Sequence, residues 1–351
     1  MAEHTVPIYP SRRPTLIDIA LECGLSRATV ARALSGKGYV DEERRRLIQE
    51  TASRLGYRTS TIARALRTQK TASIGVLIAD ITNPIFPQIV KGIDEVVAAD
   101  DQTIFLCNTD EDSQKQQAII RSLLDRNVDG LILVSQMLTK EFLTLLENGP
   151  PCVFINRKPP NPVLDYVGPD NAQGIRLLLD HLCGLGHKRI AYIAGPVSSS
   201  TAQERLANYR LGMAERGLLL DERMIVGGNY NIESGRAAAA ILSRLEPRPT
   251  AIISANDFVA IGVIEYLQQQ GLSVPQDMSV TGFDDAFAMQ IDGHYPLKIE
   301  GITTVDQPKR DLGRTAGRLI LERIGRPDGP PNNIVLPTTL RVRHTTASPK
   351  A

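Results

Sequence analysis

Arg27, Ala28 and Arg32 fall on one side of a short segment, S-R-A-T-V-A-R-A-L, whose other side carries Val30, Ala33 and Leu34 at helical spacing. The apolar side has a core to join, and the outward side is left free to read something. A guanidinium can donate two parallel hydrogen bonds to a guanine edge, and an alanine methyl can lie against that of thymine. The chemistry open to this face is recognition of base-pair edges. A second set of polar residues stands at the ends of apolar runs: Asp80 and Asn83, Asn108 and Asp110, Asn156 and Arg157, Asn256 and Asp257, Asp284 and Asp285. Gathered in one cleft, such carboxylates, amides and guanidinium groups could hold a small polar ligand.

To present Arg27 and Arg32 in this way the segment must be helical and backed by neighbours. Thr15 is suited to cap a first helix, with Asp18 able to reach back to the open amides in a Thr-x-x-Asp capping box. Gly24 supplies the left-handed residue that ends this helix after Cys23, and Ser26 caps a second one running to Leu34. Asp41 or Val40 opens a third, acidic at its start and closed by Gly56, with Leu47, Ile48 and Leu55 completing a small core. The result is a helix-turn-helix. Helix pairs of this kind also occur in all-helical folds, with their arginines merely solvated. Charge separates the two readings: the first 71 residues hold 13 Lys plus Arg against 7 Asp plus Glu, a net of +6, which leaves −5 to the rest of a chain totalling +1. A basic module on an acidic body is the footprint of phosphate contact.

At 351 residues the chain exceeds one ordinary domain. No apolar run approaches the roughly 20 residues that span a bilayer, and the N-terminus lacks a signal-peptide core, so a cytoplasmic protein without membrane contact is expected. Cys23, Cys107, Cys152 and Cys183 form no C-x-x-C pair and read as buried free thiols. From Ser73 on, strand-like runs alternate with helical periods: SIGVLIAD, TIFLCN, GLILVS and CVFIN, then RIAYIAG, MIVGGNY, TAIISAN and SVTGFDD. This is a parallel α/β pattern in two similar lobes, with ligands expected at the carboxyl ends of the strands. A dinucleotide-binding enzyme would carry G-x-G-x-x-G after the first strand, where ADITNPIFP stands instead. No P-loop, G-x-S-x-G or H-E-x-x-H is present, and the five histidines lack ligand spacing. His181 and His187 are read as capping and packing residues. No catalytic residue, metal or cofactor is expected.

The run L-S-R-A-T-V-A-R-A-L followed by L-G-Y-R-T-S-T-I-A-R-A-L resembles the headpiece and hinge of the lactose/galactose repressor family. The resemblance continues through NPIF, VDGLIL, VFINR, GHKRIAYIAGP, QERLANYR, IISANDFVAIG, VPQDMSVTGFDD and TTVDQP. It implies an N-terminal three-helix helix-turn-helix headpiece followed by an α/β two-lobed, periplasmic-binding-protein-like effector domain. It also implies base reading by Arg27, Ala28 and Arg32, phosphate contact by Thr15, Ser26 and Thr29, and a hinge in which Ile62, Ala63 and Leu66 meet the minor groove, Leu66 as an apolar wedge. The family usually has Ser at the place of Ala31 and Pro-Asn at the places of Thr59 and Ser60. The hinge segment is too short to be a stable helix alone, since isolated helices under about 12 residues are marginal.

For the effector the same resemblance implies Asn83, Phe86, Asn156, Arg157, Arg205, Tyr230, Asn256 and Asp284, with Asp80 and Gln307 as weaker carry-overs. Arg157 and Arg205 against Asp284 tilt the cleft positive, so a sugar acid or sugar phosphate is favoured over a neutral sugar. The expected boundaries are 15–58 for the headpiece, 59–71 for the hinge and linker, 72–169 with 301–330 for the first lobe, and 170–300 with 331–345 for the second. The tail HTTASPKA carries no leucine heptad, so a homodimer on a double-stranded operator is expected, acting as an effector-controlled transcriptional repressor. The alternative is a sugar-binding transport receptor, which would need an export signal and no headpiece.

Overall fold

The computed structural model describes residues 14–36, 38–57, 70–147, 149–160, 163–287 and 301–350. The chain divides into two units, 1–71 and 72–351. In the first, α1 (Leu16–Cys23), α2 (Arg27–Ser35) and α3 (Glu42–Arg54) close around Ile19, Val30 and Ile48, which are fully buried. The caps are those the local sequence calls for. Thr15 donates both its amide and its hydroxyl to the Asp18 carboxylate, at 2.7 and 2.8 Å. Gly24 ends α1 at φ 65°, a conformation that costs a glycine nothing. Ser26 Oγ accepts from the Thr29 amide at 3.1 Å and Asp41 from the Arg44 amide at 3.0 Å. Leu47, expected in the core, is 46% exposed. The inward face of α3 is Ile48, Thr51 and Ala52, and Leu47 lies one residue, about 100° of helical turn, to the side. Ile62, Ala63 and Leu66 lie outside the described residues.

The second unit holds two six-stranded sheets. The first runs β11-β5-β4-β3-β1-β2 and is parallel throughout, built from β1 (Ser73–Ile78), β2 (Thr103–Asn108), β3 (Gly130–Val134), β4 (Cys152–Ile155), β5 (Asp165–Pro169) and β11 (Asn333–Leu336). The second runs β12-β10-β9-β8-β6-β7, from β6 (Ile190–Ile193), β7 (Ile225–Val226), β8 (Ala251–Ser254), β9 (Ser279–Asp284), β10 (Thr303–Asp306) and β12 (Thr339–Arg341), with only β12 antiparallel. The central strands β1 and β3 are buried at every position, as parallel strands covered on both faces must be, and this explains their unbroken apolar runs.

Helices fill the crossovers. In the first lobe these are α4 (Ile85–Val97), α5 (Ser113–Asp125) and α6 (Lys140–Leu146), in the second α7 (Asn171–Gly184), α8 (Ser200–Glu215), α9 (Ile232–Leu242) and α10 (Asp257–Gln269). The long α11 (Lys309–Gly325) returns to the first lobe and packs on α4 so closely that a Cβ at Gly313 would stand 2.0 Å from the Ile89 carbonyl oxygen.

The chain passes between lobes after β5, between β10 and α11, and between β11 and β12. Two of the expected boundaries therefore move. Residues 303–306, assigned to the first lobe, pair in parallel with β9 of the second, Thr303 opposite Thr281. Residues 333–336, assigned to the second lobe, pair with β5 of the first. The four cysteines are free, and each is only partly buried rather than enclosed. Among the described residues no helix is long and apolar enough to cross a membrane.

Candidate functional site

The carboxyl ends of both sheets face one cavity of about 560 Å³. The first lobe lines it with Asp80 and Asn83 after β1, Phe86 on α4, Asp110 and Glu111 after β2, Ser135 after β3, and Asn156 and Arg157 after β4. From the second come Ser199 and Thr201 at the start of α8, Arg205 one turn on, Tyr230 before α9, Asn256 at the start of α10, Asp284 at the end of β9 and Gln307 after β10. The eight residues nominated for a ligand, and Asp80 and Gln307 with them, are brought together here. Asn108, Asp257 and Asp285, also at strand ends, do not line it.

Arg205 organises the second-lobe wall. Its Nε donates to Asn171 Oδ1 at 2.8 Å, Nη1 to the Ala255 carbonyl at 2.7 Å, and Nη2 reaches Asp284 Oδ1 at 3.5 Å. The guanidinium also lies over the Phe283 ring, 3.5 Å from its centre, a cation–π contact. Asp284 Oδ1 accepts from Gln307 Nε2 as well. Burial pushes the Asp284 carboxyl up from its ordinary value while Arg205 and Gln307 pull it down.

The three asparagines expected to meet a ligand, which line the cavity with Asn229 and Asn231, differ in what they leave free. Asn256 caps α10, its Oδ1 accepting from the Val259 amide at 3.0 Å, and its Nδ2 donates to the Tyr230 carbonyl at 3.3 Å. Asn83 Oδ1 accepts from the Ile85 amide at 3.2 Å in the turn into α4. Asn156, at φ 67°, donates from Nδ2 to Ser135 Oγ at 3.2 Å, and its buried Oδ1 has no partner among the described residues. A buried acceptor without a partner costs about 1–3 kcal/mol, a strain that the fold carries beside the cavity. Tyr230 holds Ser199 Oγ through its hydroxyl at 3.2 Å, and Phe86, 5% exposed, reaches the cavity from the first-lobe core. Close to these residues the lobes touch directly: the Thr201 hydroxyl donates to the Asn156 carbonyl at 2.9 Å, and the Lys158 amide to Ser200 Oγ at 2.8 Å.

The expected positive tilt is not found. Arg157 Nη2 is held by Glu111 Oε1 at 2.8 Å, and the lining carries Asp80, Asp110, Glu111 and Asp284 against Arg157 and Arg205. Each arginine has an acidic partner within its own lobe, which removes the ground for preferring an anionic ligand. Glu111, Ser135, Ser199 and Thr201 had not been singled out from sequence. The S-S-S-T run that opens α8 is the available signal for the last two, as hydroxyl residues gather at helix N-termini.

On the headpiece, Arg27, Ala28 and Arg32 lie along α2 and are all exposed. Ser26 Oγ and Thr29 Oγ1 stand 2.9 Å apart at its N-terminus. Arg32 Nε reaches the Ala28 carbonyl at 3.4 Å, a long bond that leaves the guanidinium largely unspent. Thr15, in contrast, gives both of its donors to Asp18.

Residues 15–60 match the bacterial regulatory proteins of the lacI family, and residues 179–346 match a periplasmic binding protein-like domain. The HTH-type transcriptional repressor PurR of Photobacterium profundum is 32% identical over 312 residues, 88% of this chain and 92% of that protein. Among solved structures, the Lac repressor dimer bound to operator and the anti-inducer ONPF is 26% identical with a TM-score of 0.82, covering 96% of this chain and 100% of that one. A complex of the transcriptional regulator CelR with cellobiose is 27% identical with a TM-score of 0.71, covering 95% and 100%.

Proposed function

The chain belongs to the lacI family of bacterial regulatory proteins, and on that premise we propose that it is a cytoplasmic transcriptional repressor, without enzymatic activity, that binds a two-fold symmetric DNA operator as a homodimer. Arg27, Ala28 and Arg32 read base edges, Ser26 and Thr29 meet the phosphates while Thr15, its donors taken by Asp18, caps α1, and Ile62, Ala63 and Leu66 enter the minor groove. The effector is a small neutral sugar held between the lobes. What carries this reading is the lining of the cleft: two arginines each matched by a carboxylate, and two aromatic side chains. Planar groups that engage paired hydroxyls, with an aromatic wall for the apolar ring face, are what a sugar needs. A transport receptor has no use for the basic headpiece, and the relatives are regulators.

A thermal-shift screen of neutral sugars, sugar acids and sugar phosphates tests the effector class, since a ligand that binds only the folded state raises the melting temperature by mass action. Stabilisation by a neutral sugar, together with a change in affinity for an operator selected from random duplexes, is the expected outcome. Stabilisation by sugar phosphates alone would overturn the neutral assignment. Glu111 gives a sharper comparison. Glu111→Gln leaves Arg157 without its counter-charge and should shift the affinity ratio of a sugar phosphate to its parent sugar about tenfold toward the phosphate, about 1.4 kcal/mol. Calorimetric titration of both ligands on both proteins checks it, and an unchanged ratio would mean that Glu111 does not set charge preference.

A further inference from the structure

Asp284 faces the cleft from a turn that the backbone does not adopt freely. Asp284 and Asp285 lie at φ 109° and 48°, in the left-handed half of the map, where residues with side chains persist only if their surroundings hold them. Three groups hold this turn. Lys309 Nζ donates to the Asp284 carbonyl at 2.7 Å, Arg343 Nη1 pairs with the Asp285 carboxylate at 2.7 Å, and the Ala286 amide donates to Asp257 Oδ2 at 2.7 Å.

Asp257 is the unexplained member. It opens α10, is 2% exposed and does not line the cavity. Its other oxygen, Oδ1, stands 2.6 Å from the Thr304 hydroxyl on β10. It presses on β9 so closely that a Cβ at Gly282 would come within 2.1 Å of Oδ1, which only glycine avoids. One carboxyl thus joins the start of α10, two strands and the turn that carries Asp284.

We propose that Asp257 is a positioning residue of the effector site, which fixes the Asp284 turn through the Ala286 amide and ties it to β10 through the Thr304 hydroxyl. Its two acidic neighbours each pair with a cation, Asp284 with Arg205 and Asp285 with Arg343, whereas Asp257 bonds the Thr304 hydroxyl and one amide and feels Arg343 only at longer range. Burial, and after it the charge of Asp284, push the Asp257 carboxyl up to about 8, with Asp285 adding to the rise and Thr304 and the Ala286 amide opposing it. The carboxyl accepts from the Ala286 amide on Oδ2 and from the Thr304 hydroxyl on Oδ1, and the neutral acid keeps both contacts by donating to the Thr304 oxygen instead. Asparagine reproduces that arrangement and alanine does not.

The proposal rests on the effector reading only in naming what the wall receives, and the clamp is measured without ligand on the full chain. Hydrogen exchange at the Ala286 amide should be as slow in Asp257→Asn as in the parent. In Asp257→Ala it should be at least about tenfold faster, with the amides of β1 and β3 unaffected, because the opening is local. The folded chain keeps at Asp257 a proton that the unfolded chain releases near pH 4. The stability from this group is therefore full at low pH and lost as pH rises toward 8. Asp257→Asn carries no such proton, so its melting temperature relative to the parent should climb by at least about 3 °C between pH 5 and 8. An Ala286 amide equally protected in Asp257→Ala overturns the clamp, and a flat difference across that range overturns the proton. Should Asp257→Ala not fold, the asparagine variant and its pH series decide alone.

Discussion

Arg205→Ala is expected to cost the effector domain about 3–5 kcal/mol of folding free energy, the range found when one partner of a buried ion pair is removed. The family resemblance implies only a ligand contact at Arg205. The structure gives it a larger part, since its three donor groups tie the start of α7 at Asn171, the end of β8 at Ala255 and the end of β9 at Asp284. Without it, Asp284 stays buried with Gln307 as its remaining side-chain donor. Burial already pushes that carboxyl up, so in the variant it would take a proton in preference to standing as an unpaired charge. The variant's deficit should therefore be smaller at pH 5 than at pH 8, the folded form binding the extra proton as pH falls. Urea unfolding of both proteins at the two pH values measures this. A deficit below about 1 kcal/mol at pH 8 would mean that the pair contributes no more than an exposed one.

Arg32→Ala should weaken binding to a selected operator by about 1–3 kcal/mol and leave random duplex almost unaffected. The headpiece structure leaves Arg32 free to make such a contact: it is exposed on the same side of α2 as Ala28, with no acidic partner among the described residues and only a 3.4 Å bond to a carbonyl. Fluorescence anisotropy with both duplexes at fixed salt separates the possibilities. Equal weakening on both would make Arg32 a phosphate contact, with a shallower salt dependence as its second sign.

The headpiece was legible because its signals are local. Thr15 and Asp18, Ser26 and Thr29, and Asp41 and Arg44 are three residues apart, and each pair forms the bond its spacing suggests. The long apolar runs that became β1, β3, β4, β6, β8 and β9 were legible for a similar reason, since a strand buried on both faces needs no partner to reveal itself. The short strands were not. T-T-V-D and N-I-V-L acquire their lobes from pairing with residues some 20 and more than 160 positions earlier, and nothing in four residues encodes that distance. The sign of the cleft failed for the same cause. Glu111 lies 46 residues before Arg157, in a T-D-E-D turn that reads as solvated surface until the fold brings the two together.

The three passages between lobes are stitched to each other as well as to their own sheets. The Asp170 amide donates to the Leu336 carbonyl at 2.8 Å, the Thr338 amide to Gln173 Oε1 at 2.8 Å, and Arg341 pairs with Asp306 at 3.0 Å. Three separate cords would let two bodies twist, slide and swing independently. Bound into one ribbon, they resist torsion and lateral shear and leave bending across the ribbon as the soft coordinate. An effector that engages both walls then needs to bias a single angle. A ligand that closes the gap would act along that one bend.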